Sequence, residues 1–178
     1  VRRRSLVSRR SSTWYRPEKE ILVLESRGEH AVIYELQGSL FFGTTHQLYL
    51  TLEPDLLQAE YVILDFKRVQ SLDVTAAHML KLARDVLAER KVPLLLSNVR
   101  ETLPNGRNLR EFLELSGVVV EDGSVQVMAS LEAAIEWVEN KLLGEVKADL
   151  TGLPPLELHE IELFKGSKDD TIADLRAC

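Results

Sequence analysis

YVILDFKRVQSLDVTAAHMLKLARDVLAER, residues Tyr61 to Arg90, changes period within itself and so decides the fold. Tyr61-Val62-Ile63-Leu64 is short, apolar and rich in β-branched residues, which suits a strand covered on both faces, and Asp65 marks its solvated carboxyl end. From Val74 the period becomes helical. Ala76, Leu80, Ala83 and Leu87 recur at spacings of three and four, backed by Met79 and Val86, while His78, Lys81, Asp85 and Glu89 share the other side. Asp73 stands one residue ahead, where a carboxylate accepts the unpaired amide hydrogens of the first turn and meets the positive end of the helix dipole. A strand, loop and helix in this order form the kind of junction at which α/β folds place their sites.

Working outward, residues 20–26 alternate as a strand, 27–29 form a turn and 30–36 a second strand, together a hairpin. Gly38 breaks that strand ahead of Leu40-Phe41-Phe42, whose bulk caps the core. A helix then opens with Thr44 or Thr45 as N-cap and Leu48 and Leu52 inward, to end or restart at Pro54. Beyond Arg90, residues 92–96 read as a buried strand, which makes the central unit a right-handed parallel crossover. Leu109, Phe112 and Leu113 mark a third helix stopped by Ser116-Gly117. Residues 118–120 and 125–128 supply an edge strand interrupted at Asp122-Gly123. Ser130 caps a last helix with Leu131, Ile135, Val138 and Leu142 inward and a solvated acidic face of Glu132, Glu136 and Glu139. The fold class is therefore α/β: a central mixed β-sheet with helices starting near Thr45, Val74, Arg107 and Leu131 packed against it, plus a C-terminal helical extension.

With 178 residues, 45% apolar and 28% charged, the chain has room for one ordinary soluble domain and a remnant. No apolar run approaches the roughly 20 residues of a membrane span. Cys178 is the single cysteine, so no intramolecular disulfide exists, and the thiol is read as inert. The net charge of −6 hides an asymmetry, because residues 1–19 hold seven cations against Glu18, a local +6 that leaves −12 for the remainder. An acidic body argues against a nucleic-acid surface on it. Residues 1–17 form a basic flexible lead-in, either a juxtamembrane tether that brings the chain close to a membrane or a solvated arm. No apolar stretch follows it, which excludes a signal peptide. Trp14 and Tyr15 are read as packing on the domain edge, with a membrane-interface anchor as the alternative. A chain opening on Val1 is either a segment of a longer reading frame or starts at an alternative start codon.

Phosphate-binding glycine loops, a GxSxG elbow and Cys/His clusters of metal-ligand spacing are all missing from the sequence, and His46 is a surface histidine. Asp65 and Asp73 have structural roles as strand end and helix cap. No catalytic residue, metal or cofactor is assigned, and the chain is not read as an enzyme.

LDF at Leu64–Phe66 followed by SLDVTA at Ser71–Ala76 resembles the signature of a STAS domain, the module shared by anti-anti-sigma factors and the cytoplasmic tails of SulP-type anion transporters. LQGSLFFG, Leu36 to Gly43, with its glycine and paired phenylalanines, resembles the transporter branch. The resemblance covers residues 18–143. It implies the anti-anti-sigma-factor-like fold and a non-catalytic regulatory or interaction domain. That domain would lie on the cytoplasmic face of the plasma (inner) membrane, joined to the transmembrane core of a sulfate- or bicarbonate-like anion transporter in the same polypeptide or complex. It also implies a regulatory loop for a protein partner at Ser71, Leu72, Asp73, Val74 and Thr75. In the sigma-regulator branch a serine or threonine directly after the loop aspartate is phosphorylated; here that residue is Val74, which leaves Thr75 and Ser71 as the nearby hydroxyls. The alternative is a free cytoplasmic anti-anti-sigma factor, phosphorylated and binding an anti-sigma kinase, against which Val74 and the terminal extensions argue.

Residues 144–158, with Gly152 and Pro154-Pro155, read as a linker. IELFKGSKDDTIADLRAC, from Ile161, is similar to the opening of a cyclic-nucleotide-binding domain, so residues 159–178 are a truncated start of one. It lacks the phosphate cassette, and the chain is expected not to bind cyclic AMP or cyclic GMP. An amphipathic helix packing Ile172 and Leu175 is the other reading.

Overall fold

The computed structural model describes residues 1–10, 12 and 16–151. Five strands, β1 (Arg3–Leu6), β2 (Ala31–Leu40), β3 (Tyr61–Leu72), β4 (Leu94–Ser97) and β5 (Val125–Met128), form one sheet in sequence order. β1 runs antiparallel to β2, and the remaining pairs are parallel. The helices are α1 (Glu18–Arg27), α2 (Phe42–Gln58), α3 (Val74–Glu89), α4 (Leu109–Leu115) and α5 (Leu131–Thr151). The expected α/β class with a mixed central sheet is thus observed.

Connectivity explains the layering. Each crossover from β2 to β5 moves one strand along the sheet in the same direction, and right-handed crossovers that keep one direction stack their helices on one face. Accordingly, α2, α3 and α4 share a core with Tyr34, Leu36, Leu64, Phe66, Leu94 and Leu96. The opposite face has only the helices before β2 and after β5 to cover it. Leu24 of α1 and Ala134, Ile135, Val138 and Leu142 of α5 pack there on Ile33, Ile63 and Leu95. The compact unit 1–143 contains both cores.

α3 matches its sequence pattern. Ala76, Leu80, Ala83 and Leu87 are all buried, and the Asp73 carboxylate accepts the Ala76 amide at 2.7 Å. α4 also ends as expected, at Ser116, with Gly117 at φ 67° supplying the left-handed residue. Ser130 Oγ accepts the Ala133 amide at 3.1 Å, so the last helix carries the expected cap.

The hairpin does not form. Residues 18–27 are helical: Glu18 and Glu20 occupy the first turn and Arg27 the last, each favourable to the helix dipole. Leu22 is exposed while Leu24 is buried, so the two do not share the face an alternating strand would give them. The antiparallel neighbour of β2 comes instead from the segment read as a flexible lead-in: Arg3 pairs with Glu35 and Leu6 with Val32. Val7 is buried behind it, and a Cβ on Gly28 would meet the Ser8 nitrogen at 2.8 Å, so the segment lies tight against the domain.

Four further expectations change. Gly38, at φ 80°, sits at a register shift inside β2 and bends the strand without ending it. The α2 N-cap is Phe41, whose amide donates to Thr44 Oγ1 at 3.1 Å; Thr44 and Thr45 lie inside the first turn, and of the trio read as capping the core, Leu40 is buried while Phe41 is exposed. α2 runs unbroken through Pro54, which sits on the exposed side, and the carbonyl that proline leaves without its amide belongs to exposed Leu50. Residues 118–120 stay outside the sheet, with the Val118 amide donating to the Leu113 carbonyl. α5 extends to Thr151, so the first part of the expected linker is helical. Trp14, Tyr15, Gly152, the proline pair, the cyclic-nucleotide-like segment and Cys178 lie outside the described residues.

Candidate functional site

β2 and β3 end side by side, Leu40 opposite Leu72, and the Asp73 amide donates to the Leu40 carbonyl at 3.1 Å. The N-caps of α2 and α3, Phe41 and Asp73, are therefore backbone neighbours, and two helix N-termini open at one end of the sheet. The stretch read as a loop, Ser71 to Thr75, is almost entirely regular structure. Ser71, paired with Ser39, and buried Leu72 finish β3; Asp73 alone joins the elements; Val74 and Thr75 begin α3. Ser71 is thereby held in a ladder. Thr75 sits half-buried in the helix's first turn. Val74 is 72% exposed and Phe41 50%, so large apolar side chains stand open to solvent on both sides of the cap. His46 is exposed near the start of α2, and no group of residues that could hold a metal occurs among the described residues.

A second polar region lies on the α1/α5 face and was not visible in the sequence. Glu35, Asp65 and Ser97 are register partners across three neighbouring strands, directly after the apolar row Ile33, Ile63 and Leu95. Asp65 is therefore not a wet strand end. It is 5% exposed in mid-strand and accepts from Ser97 Oγ at 3.0 Å, Asn98 Nδ2 at 2.6 Å and the Lys67 amide at 3.4 Å. Asn98 reaches it from a left-handed backbone, φ 54°, a conformation asparagine tolerates better than most residues. Glu35 takes two guanidinium groups, Arg2 at 3.3 Å and Arg10 at 2.5 Å. Glu35, Asp65, Asn98 and the two arginines, with Lys67, Arg68, Ser130 and Glu132, line a cleft of about 330 Å³ under the start of α5.

Arginines of the basic N-terminal segment are largely committed to such pairs. Arg4 forms a bidentate pair with Asp55 at 2.7 Å on both oxygens, and Tyr34 donates its hydroxyl to the same carboxylate. Burial pushes the Asp55 carboxyl up, but the bonds from Arg4 and Tyr34 prevail and hold it below the usual carboxylate range. Burial and that same carboxylate push the Tyr34 phenol up. Glu139, placed by its spacing on the solvated acidic face of α5, is buried instead: Ser12 donates its amide and hydroxyl, and Arg16 its guanidinium, to the carboxylate.

A sequence model of the STAS domain matches residues 22–118, more than half of the chain. The chain belongs to the STAS domain family. Its matched part holds β2 to β4 and the Asp73 junction, whereas β1, β5 and α5 lie outside it. The vacuolar basic amino acid transporter VSB1 of Saccharomyces cerevisiae is 29% identical over 148 residues, covering 76% of this chain and 14% of that protein. Glutaminase 1 of Bradyrhizobium diazoefficiens is 28% identical over 160 residues, covering 90% of this chain and 25% of that protein. The chain thus spans no more than a quarter of the length of either relative. The crystal structure of a sulfate transporter family protein from Wolinella succinogenes superposes with a TM-score of 0.50 at 26% identity, covering 63% of this chain and 86% of that one. No helix among the described residues is long and apolar enough to cross a membrane.

Proposed function

We propose that this STAS domain is the non-catalytic regulatory and interaction module of a SulP-type inorganic anion transporter, placed at the cytoplasmic face of the membrane. Its partner-facing surface is the strand end formed by Phe41, Asp73, Val74 and Thr75. The observation that carries the reading is the exposure of Val74 and Phe41 on either side of the Asp73 cap, within the family signature. Apolar side chains held open beside a rigid helix start favour docking of a protein surface. The transporter assignment draws support from the likeness to the sulfate transporter family protein and from the alignment with a vacuolar transporter. Its alignment with a quarter of a glutaminase supports a module with no turnover of its own, since a region common to a transporter and an enzyme serves neither chemistry directly.

The basic N-terminus contributes to this reading differently from a free tether. Arg2, Arg4, Arg10 and Arg16 are held by carboxylates of the domain, so attraction to a membrane rests on Arg3, Arg9 and Lys19. Val74, where the sigma-regulator branch carries its hydroxyl, weighs against a free phospho-switched factor. The test places Val74→Arg and Asp73→Arg in a full-length transporter carrying this domain. Both variants should fold and reach wild-type abundance while anion uptake or trafficking falls; wild-type uptake by fully folded variants would remove the role of this surface.

A further inference from the structure

We propose that the cleft under the start of α5 binds a zwitterionic small molecule of the α-amino acid class, its ammonium group on Asp65 and its carboxylate toward Lys67, Arg68 and the first turn of α5. The proposal stands apart from the transporter reading. Among the described residues all three donors to Asp65 converge on Oδ1, and Oδ2, which is not one of the fully buried unsatisfied atoms, is open to the cleft although the residue as a whole is 5% exposed. A buried carboxylate with neutral donors on one oxygen alone is incompletely compensated, and a cationic donor on the other would complete it. Its neighbour Glu35 shows the contrast: two arginines already neutralise it, so it does not compete for the ammonium group.

The anion half of the site comes from the same strand. Glu35 and Gln37 pair with Asp65 and Arg68, so β3 carries one extra residue there, and both Lys67 and Arg68 border the cleft. Bulges of this kind re-aim side chains beside sites. Neither cation makes a side-chain hydrogen bond or ion pair among the described residues. The first turn of α5 adds the positive end of a 21-residue helix; Ser130 already takes the Ala133 and Ala134 amides, and Glu132, which also borders the cleft, has an interaction of its own. The location, at the carboxyl ends of β4 and β5, is where open α/β sheets take their ligands. A volume of about 330 Å³ is at the small end of the ligand-pocket range. A simple dianion would meet Lys67 and Arg68 but face the open oxygen of Asp65 and the Glu132 carboxylate at the cleft edge, and a simple amine would make no use of Lys67 and Arg68. A ligand carrying both charges meets both requirements.

Isothermal titration of the 178-residue chain with each of the common L-α-amino acids tests the proposal, with sulfate, acetate and ethylammonium as single-charge controls. At least one amino acid should bind saturably, with each control weaker by about tenfold or more. Asp65→Asn should weaken that binding roughly ten- to hundredfold. The double variant Lys67→Gln/Arg68→Gln alters only exposed side chains, so it keeps the test valid should Asp65→Asn misfold; it should weaken binding to a similar degree with unchanged thermal unfolding. Absence of saturable binding up to about 10 mM for every amino acid would overturn the proposal. So would sulfate or a nucleotide binding more tightly with no response to Asp65→Asn.

Discussion

The two faces of this sheet differ from one end to the other. Under α2, α3 and α4 the strands present Val32, Tyr34 and Leu36, then Val62, Leu64 and Phe66, then Leu94 and Leu96, all buried and apolar but for the tyrosine hydroxyl. Under α1 and α5 the apolar row stops at Ile33, Ile63 and Leu95, and the next row is Glu35, Asp65 and Ser97. Three successive crossovers close the first face along its length. The second is closed by the two ends of the domain, and where α5 begins it is left polar and reachable. Dispersion and apolar burial hold one face; the other combines a small core with charge pairs that also shape a cleft.

The comparison breaks most visibly at Ala83, 1% exposed where α3 meets the sheet. Ala83→Asp should cost several kcal/mol by burying an unpaired charge, enough to abolish a cooperative melt; an unchanged melting temperature would disprove the packing of that face. On the other face, Glu139→Ala should cost about 3 kcal/mol, because Arg16 and Ser12 lose a buried partner. It should also raise hydrogen exchange in residues 7–12 more than in α3, which sharpens the contrast between a face held by charge and one held by packing. Asp73→Ala removes the α3 cap and should cost about 0.5–2 kcal/mol in denaturant unfolding.

Arg4→Ala is the mildest change and carries a pH signature. The Asp55 carboxyl is held below its unfolded value, so the pair contributes stability above the unfolded pKa of about 3.9 that is lost as pH falls through the folded value. Wild type should exceed Arg4→Ala by about 1 kcal/mol or less near neutral pH, with the gap closing in acid. A pH-independent gap would mean that the strand is held by packing alone.

Legibility followed the range of the interactions. The helix from Val74, its aspartate cap, the stop at Gly117 and the Ser130 cap were all readable, because period and capping act within a few residues. The polar cleft was not. Glu35, Asp65 and Ser97 are about 30 residues apart from one to the next along the chain, and only their register makes them neighbours. Asp65 carried a signal, a carboxylate directly after an apolar run, yet that pattern suits a solvated strand end equally well. Glu139 misled for a similar reason: its spacing put it with Glu132 and Glu136, and nothing local announced that Ser12 and Arg16 would return to cover it.

By itself, then, the sequence determined the α/β class, the central crossover from Tyr61 to Arg90 and the capped junction at Asp73, since hydrophobic period and first-turn amides are properties of contiguous residues. Tertiary structure alone decided that residues 3–6 become the edge strand and residues 18–27 a helix. β2 needed an antiparallel neighbour and the second face a cover, and both needs exist only once the sheet has formed. It also decided which charges are spent. Seven cations near the N-terminus look alike in sequence, and the carboxylates Glu35, Asp55 and Glu139, fixed on three separate elements, select the four whose guanidinium groups are ion-paired.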